Sequence, residues 1–536
     1  MRSRPMWGGT TRMRIGPESS LTIGDKGRVM VVMDIRPSIR PPALKRSPSA
    51  SDPLPIPRTA AGPRRLAWLD ALRGIAAIVV VFEHASYSFM ADFRQELMPQ
   101  FNTGRYGILV FFLVSGYIIP ASLERRGCVR TFWIGRVFRM YPLWATAVAA
   151  VLAINLLGLA NMRDFGHQST ATATVAHAGL LQELLGTPSV LLVLWTLSYE
   201  MAFYLLVVAL FSVHMHQRSA AVAVTLAVLA AVSVAAGVTL PDSALSDLVG
   251  TGPLIGLATG ALAVAICCAS AGSPALRVFG GVLGGVLALV LVPFNGTVPL
   301  WEGLIILAVM FLGTAVHRAE HGRSSWWWAA CTAAVVIACA VSSAYWNSDE
   351  APFTRQGWIV AFLLAVLTFG VALALRHRRI PRWLIWLGMI SYSVYLLHPV
   401  LLAVSDGTIG RWPRDNPVLV VAFFAVLLPL CALTYRYIEA PGQAWGRKLA
   451  RRVEPSRRAP VPHVHPKKPQ VRPTSPPDAH HSARRTARPI APDRAEVQGD
   501  VSSDPELTRD GSVPPSTGPA VAACTASRWD RAASSR

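Results

Sequence analysis

Residues 65–89 read RLAWLDALRGIAAIVVVFEHASYSF, an apolar stretch of membrane-spanning length that nevertheless carries Asp70, Arg73, Glu83 and His84. A charge at the centre of a spanning helix costs about 3 kcal/mol on insertion scales, so such residues normally face a protein interior or a water-filled cavity. On a helix turning about 100° per residue, Arg73 and His84 share one face, and Asp70 falls within about 40° of the His84 direction. Glu83, the carboxylate adjacent to His84, points about 100° away. His84 lies about 16 Å further along the axis than Arg73. An imidazole so far from an interface can take and return a proton near neutral pH, which is the work of a general base. For Arg73 and Asp70 alone the structural alternative is an arginine snorkelling to head groups with the aspartate as its partner.

Three further stretches hold polar residues with the same potential. In VLWTLSYEMAFYLL, Glu200 lies about ten residues into an apolar run, with Thr196 and Tyr204 one turn away on either side. A glutamate at that depth needs a polar partner across the bundle. In GMISYSVYLLHPVLL, Ser391, Tyr395 and His398 follow i, i+4, i+7 spacing and line one face, fit either for a catalytic network or for a plain interhelical hydrogen bond. In RRGCVRTFWIGRVFRMYP, Arg125, Arg126, Arg130, Arg136 and Arg139 precede Pro142. Positive-inside bias accounts for most of that cluster. Arg136 and Arg139, three apart on an amphipathic segment, also suit the oxygens of a phosphate, whether of a soluble cosubstrate or of an anionic lipid.

The elements that must position these residues are membrane helices. The chain is 52% hydrophobic and only 15% charged, and its mean hydropathy is positive. Twelve apolar runs centre on residues 66–90, 104–123, 139–160, 190–213, 219–240, 250–271, 275–293, 299–316, 326–345, 357–375, 383–404 and 416–438. The reading is an all-α polytopic transmembrane helical bundle of ten to twelve spans, since two weak middle runs can merge or re-enter. Basic residues crowd into alternate connections such as HMHQR, HRAEHGR and RHRRIPR, while PDSALSD and YWNSDEAPF are acidic, which puts both tails in the cytoplasm. The net charge of +21 therefore reflects membrane orientation and not a nucleic-acid partner. Residues 1–64 and 447–536, rich in Arg, Pro and Ser, are expected to be disordered tails around a membrane domain at 65–446. No long apolar core precedes residue 66, so the first span is expected to serve as its own insertion signal, and Met30 or Met33 is an alternative start. The seven cysteines show no CxxC pair and no metal spacing.

In order, LDALRGIAAIVVVFEH, GILVFFLVSGYII, FWIGRVFRMYPLW, LWTLSYEMAFYLL, ISYSVYLLHPV and YRYIEAPGQ resemble the motifs of the acyltransferase 3 family of integral-membrane acyltransferases, over about residues 66–445. Arg, ten intervening residues, then His is that family's hallmark, met here by Arg73 and His84. The resemblance implies transfer of an acyl group, most often acetyl from acetyl-CoA, to a hydroxyl of a saccharide or glycosylated product, with no metal. It makes His84 the leading catalytic residue, Arg73 its partner, and Arg136 and Arg139 the contacts of the coenzyme phosphates. Glu200 matches the acidic residue of a Trp-Ser-Leu-x-x-Glu element in which Thr196 replaces the usual Ser, and Tyr395 and His398 match the late-helix motif. Asp70 and Glu83 complete the candidate set. Residues 214–382 carry no matching motif and leave the acceptor open.

The competing reading is a proton-coupled transporter, which also places Asp, Glu, His and Arg within the membrane. Internal repeats would favour it, and the halves of this chain show no convincing similarity.

Overall fold

A computed structural model describes residues 66–159, 169–346 and 354–453. The N-terminal tail, the residues beyond Val453, Met30 and Met33, and part of the YWNSDEAPF connection lie outside the described residues.

The chain runs through α1 (Ala67–Phe89), a short α2 (Ala91–Leu97), α3 (Thr103–Arg126), α4 (Val129–Leu156) and a short α5 (Thr170–Ala178). Next come α6 (Trp195–Ser212), α7 (Ser219–Ala235), a short α8 (Ala244–Val249), α9 (Thr251–Ala269), α10 (Pro274–Asn295) and α11 (Leu300–Glu320). The last group is α12 (Trp326–Trp346), α13 (Arg355–Ala374), α14 (Arg382–Thr408), α15 (Pro417–Thr434) and α16 (Ala440–Val453), with a π-helical turn at Tyr435–Glu439 between α15 and α16. No strand occurs among the described residues.

Among the described residues, eleven helical segments are long and apolar enough to cross a membrane. α1 has the length, about 35 Å, but Asp70, Arg73 and Glu83 lower its apolar content. Each of the twelve apolar runs thus forms a helix of its own, the doubtful middle ones included. α4 begins ten residues before its expected start, because nothing after Cys128 breaks the helix, and Arg136 and Arg139 therefore sit on regular helix. α16 continues seven residues past the expected domain boundary at 446.

Cross-helix contacts sort the helix ends into two layers. At one, Arg318 and Arg323 pair with Glu124, Arg376 pairs with Glu320, and Arg130 donates to the Ser270 carbonyl. At the other, Arg105 pairs with Glu302, Asn102 N–H donates to the Gly357 carbonyl, and Ser88 donates to Asp406. Exposed tryptophans ring both layers: Trp327, Trp328, Trp383 and Trp445 near the first, Trp346 and Trp412 near the second. Indoles of this kind sit at the two membrane–water interfaces. α6 and α11 are almost wholly buried, whereas α4, α7 and α15 present most of their surface outward.

Candidate active site

The site begins at a close contact between α1 and α14. Gly74 lies against Leu387 and Gly388, and a Cβ on Gly388 would run into the Asp70 backbone. Without side chains there, two helix backbones can touch, as small residues allow in membrane bundles. Gly74 and Gly388 are 314 residues apart in the chain, and so are His84 and His398. The two helices run in register from the glycines to the histidines, ten residues further along both. His84 Nδ1 then lies 2.8 Å from His398 Nε2.

The second nitrogen of His398 fixes the proton arrangement. His398 Nδ1 is 3.0 Å from the Val394 carbonyl, to which only an N–H can donate. In a neutral His398 the Nε2 is then an acceptor, so His84 Nδ1–H is the donor across the pair. That leaves the lone pair of His84 on Nε2. His398 is fully buried and His84 half-buried. Both ring nitrogens of His398 are thus engaged, one by the Val394 carbonyl and one by His84.

Beside the pair, a cleft with about 80 Å³ of space is lined by Arg73, Arg136, Arg139, Glu200, Tyr204 and Tyr395, among others. It is drawn from α1, α3, α4, α6 and α14. Arg136 lies over the rings of Phe132 and Tyr204, at 5.3 and 5.6 Å, and its guanidinium is 3.4 Å from Ser122 Oγ. Tyr204 donates to Glu200 at 2.6 Å. Arg73 has Arg139, Asp70, Glu439 and Glu200 as its charged neighbours. Towards the histidines, the Tyr395 hydroxyl is 2.8 Å from Thr196 Oγ1 and 3.3 Å from the Val193 carbonyl. The Tyr395 ring meets the His398 ring edge-on at 6.1 Å, which is the last step from cleft to pair.

Arg73, Arg136, Arg139, Glu200 and Tyr395 are thus gathered around one cleft, whereas His84 and His398 do not line it and are joined to it through the Tyr395 ring. Glu83 is not among them. Its carboxylate accepts the Thr103 hydroxyl at the start of α3 and has Arg94 at 4.0 Å. Asp70 stays beside Arg73. Sequence reasoning gave no role to Glu439, which is buried in the π turn, accepts from Ser393 Oγ at 2.9 Å and Gln443 Nε2 at 3.1 Å, and has Arg139 and Arg73 as charged neighbours. Its signal was a carboxylate within YRYIEAPGQ, just after the last apolar run. Among the described residues no group of three or more His, Cys, Asp or Glu side chains could hold a metal ion.

The model of a family described as an acyltransferase domain matches residues 66–436. The chain belongs to the acyltransferase 3 family. The chain is 27% identical over 420 residues to the protein of Bacillus subtilis (strain 168) named "Putative peptidoglycan O-acetyltransferase YrhL", a match covering 73% of this chain and 57% of the relative. It is 32% identical over 148 residues to "Acyltransferase MdmB" of Streptomyces mycarofaciens, covering 26% of this chain and 38% of that one. The matches thus span less than two thirds of either relative. No solved structure matches the chain. Family membership and the apolar helices among the described residues support a multi-pass membrane protein.

Proposed function

We propose that the protein transfers an acyl group, acetyl in the simplest case, from acyl-CoA to a hydroxyl of a saccharide or sugar-containing product. The observation that carries this reading is one cleft lined by Arg73, Arg136, Arg139 and Tyr395, with the Tyr395 ring in contact with the His84–His398 pair. Guanidinium forks suit the phosphates of coenzyme A. A pantetheine arm laid past Arg73 brings the thioester towards His84. His84 Nε2 takes the proton of the acceptor hydroxyl as its oxygen attacks the thioester carbonyl. Collapse of the tetrahedral adduct breaks the carbon–sulfur bond, and the leaving thiolate recovers the proton from the imidazolium. A route in which His84 first carries the acyl group uses the same nitrogen. The relative named for peptidoglycan O-acetylation supports a saccharide acceptor.

In this reading residues 65–446 form the catalytic membrane domain, the cleft arginines face the cytoplasm and both tails lie there. The test is acetyl-CoA turnover by the full-length protein in proteoliposomes containing cell-envelope glycans. Free thiol should appear together with glycans heavier by one acetyl group, and His84→Ala should abolish both while still inserting. Undiminished turnover by His84→Ala refutes the reading.

A further inference from the structure

α16 carries a basic face that no described residue covers. Pro417–Val453 runs as one helical stretch of 37 residues, about 55 Å long, against roughly 30 Å for the hydrocarbon core of a bilayer. α15 and the π turn already cover that core, so α16 runs among the head groups or beyond them. It does not trail free there. Gly442 and Gly446 bring it against α4 at Pro142 and Phe138, where a Cβ on either glycine would crowd those side chains. On a helix turning about 100° per residue, Gly442, Gly446 and Val453 fall within about 40° of one another. Arg447, Lys448, Arg451 and Arg452, all exposed, spread over about 140° on the opposite side. Trp445 and Leu449 lie on one flank between the two, 72% and 38% exposed.

The four cations are poorly placed for a helix in water. Arg447 with Arg451, and Lys448 with Arg452, are i, i+4 pairs of like charge, which destabilise a helix. α16 contains no Asp or Glu to offset them, and among the described residues none of the four is ion-paired or hydrogen-bonded. Positive-inside bias would be met equally by the same charges on an unstructured tail. Here a helix fixed on α4 holds them at set spacing beside an exposed indole and leucine. That combination matches an anionic lipid, with its phosphate at the cations and its acyl chains along the apolar flank.

We propose that α16 is a binding site for anionic phospholipid, in which Arg447, Lys448, Arg451 and Arg452 hold the head-group phosphate while Trp445 and Leu449 meet the acyl chains. None of these residues lines the cleft, so the site stands apart from the coenzyme A reading.

The experiment is native mass spectrometry of the full-length protein in neutral detergent, titrated with dioleoylphosphatidylglycerol and with dioleoylphosphatidylcholine, which share acyl chains and differ in head-group charge. Wild type should hold the phosphatidylglycerol at least about tenfold more tightly. Arg447→Gln/Lys448→Gln/Arg451→Gln/Arg452→Gln should bring the ratio close to unity with helix content by circular dichroism unchanged. Arg378→Gln/Arg379→Gln/Arg382→Gln, which strips exposed cations from a different connection, should leave the ratio as it is. Trp445→Ala should weaken both lipids equally, and unaltered binding of both would remove the acyl contact. An unchanged ratio in the α16 variant, or an equal fall in the control, overturns the site, the second outcome leaving only diffuse attraction to a basic surface. Should the α16 variant fail to fold, Arg447→Gln/Arg451→Gln must lower the ratio, and an unshifted ratio is equally fatal. Displacement of bound phosphatidylglycerol by coenzyme A would make a soluble phosphate the occupant and overturns the lipid assignment.

Discussion

His84 Nδ1 and His398 Nε2 lie 2.8 Å apart across the contact of α1 and α14, and the Val394 carbonyl beyond them holds the other nitrogen of His398. The arrangement selects the His84 tautomer whose Nε2 is free to act as base. Loss of a general base lowers rates by about 10²- to 10⁴-fold, so His84→Ala should fall by at least that much. His398→Ala should lower kcat with KM for acetyl-CoA little changed, because it releases the tautomer and leaves the cleft arginines in place. Steady-state thiol release checks this. A His398→Ala enzyme with wild-type kcat would show that His84 needs no partner.

The pair depends on two glycines that do no chemistry. A Cβ on Gly388 would collide with the Asp70 backbone, so Gly388→Ala must force α1 and α14 apart. Overpacking of this kind costs about 1–3 kcal/mol. The variant should unfold at lower temperature and, where it still folds, lose kcat out of proportion to that loss, since a small shift of either helix lengthens the bond between the histidines. Thermal unfolding followed by size-exclusion fluorescence, with thiol release at a permissive temperature, measures both. A destabilised variant with unchanged kcat would break the link between helix contact and imidazole pair.

Those glycines also mark where the sequence stops being readable. Run length and apolar composition suffice to find a helix at each of the twelve positions, because covering a bilayer demands both. The stripe of Arg73 and His84 is legible from helical rotation alone, and so is the offset of Glu83, which turns to Thr103 and Arg94 and not to the cleft. That His84 meets His398, 314 residues on, is not legible, because the register between α1 and α14 is set by a backbone contact that Gly74 and Gly388 permit without announcing. Glu439 is hidden for a similar reason. Only the π turn, a feature without a sequence period, carries its carboxylate to Ser393 and into the range of Arg73 and Arg139.

Arg136 and Arg139 should control donor affinity more than turnover. A hydrogen bond to a charged group contributes about 1.5–3 kcal/mol, or roughly tenfold to a hundredfold in affinity. Arg136→Gln and Arg139→Gln should each raise KM for acetyl-CoA within that range while kcat moves much less. The wild-type KM should also rise with ionic strength, because charges that meet a soluble anion at a cleft mouth are screened by salt. A kcat defect with an unaltered KM would place these arginines in the chemical step and not at the phosphates.

Acid should loosen the segment that leads to the cleft. His177, on α5 outside the spans, is buried with Nδ1–H donating to the Ala173 carbonyl at 2.8 Å and Nε2 accepting from Val190 N–H at 3.1 Å, and protonation of Nε2 would break the second of these bonds. Burial holds its pKa below the ordinary imidazole value of about 6.5. The unfolded segment therefore binds a proton first as pH falls: the stabilisation is complete above about 6.5 and is lost progressively below it, down to the folded value. Val190 leads directly to Val193 and Thr196, the partners of Tyr395 at the cleft. Hydrogen exchange of residues 187–196 should consequently accelerate as pH is lowered from about 7.5 to 5.5, after correction for intrinsic exchange, and activity should decline in parallel. His177→Gln cannot gain that charge, so it should exchange faster than wild type at neutral pH yet show a flatter dependence on acid. Equal slopes in the two proteins would remove His177 from the acid response and assign it to another group.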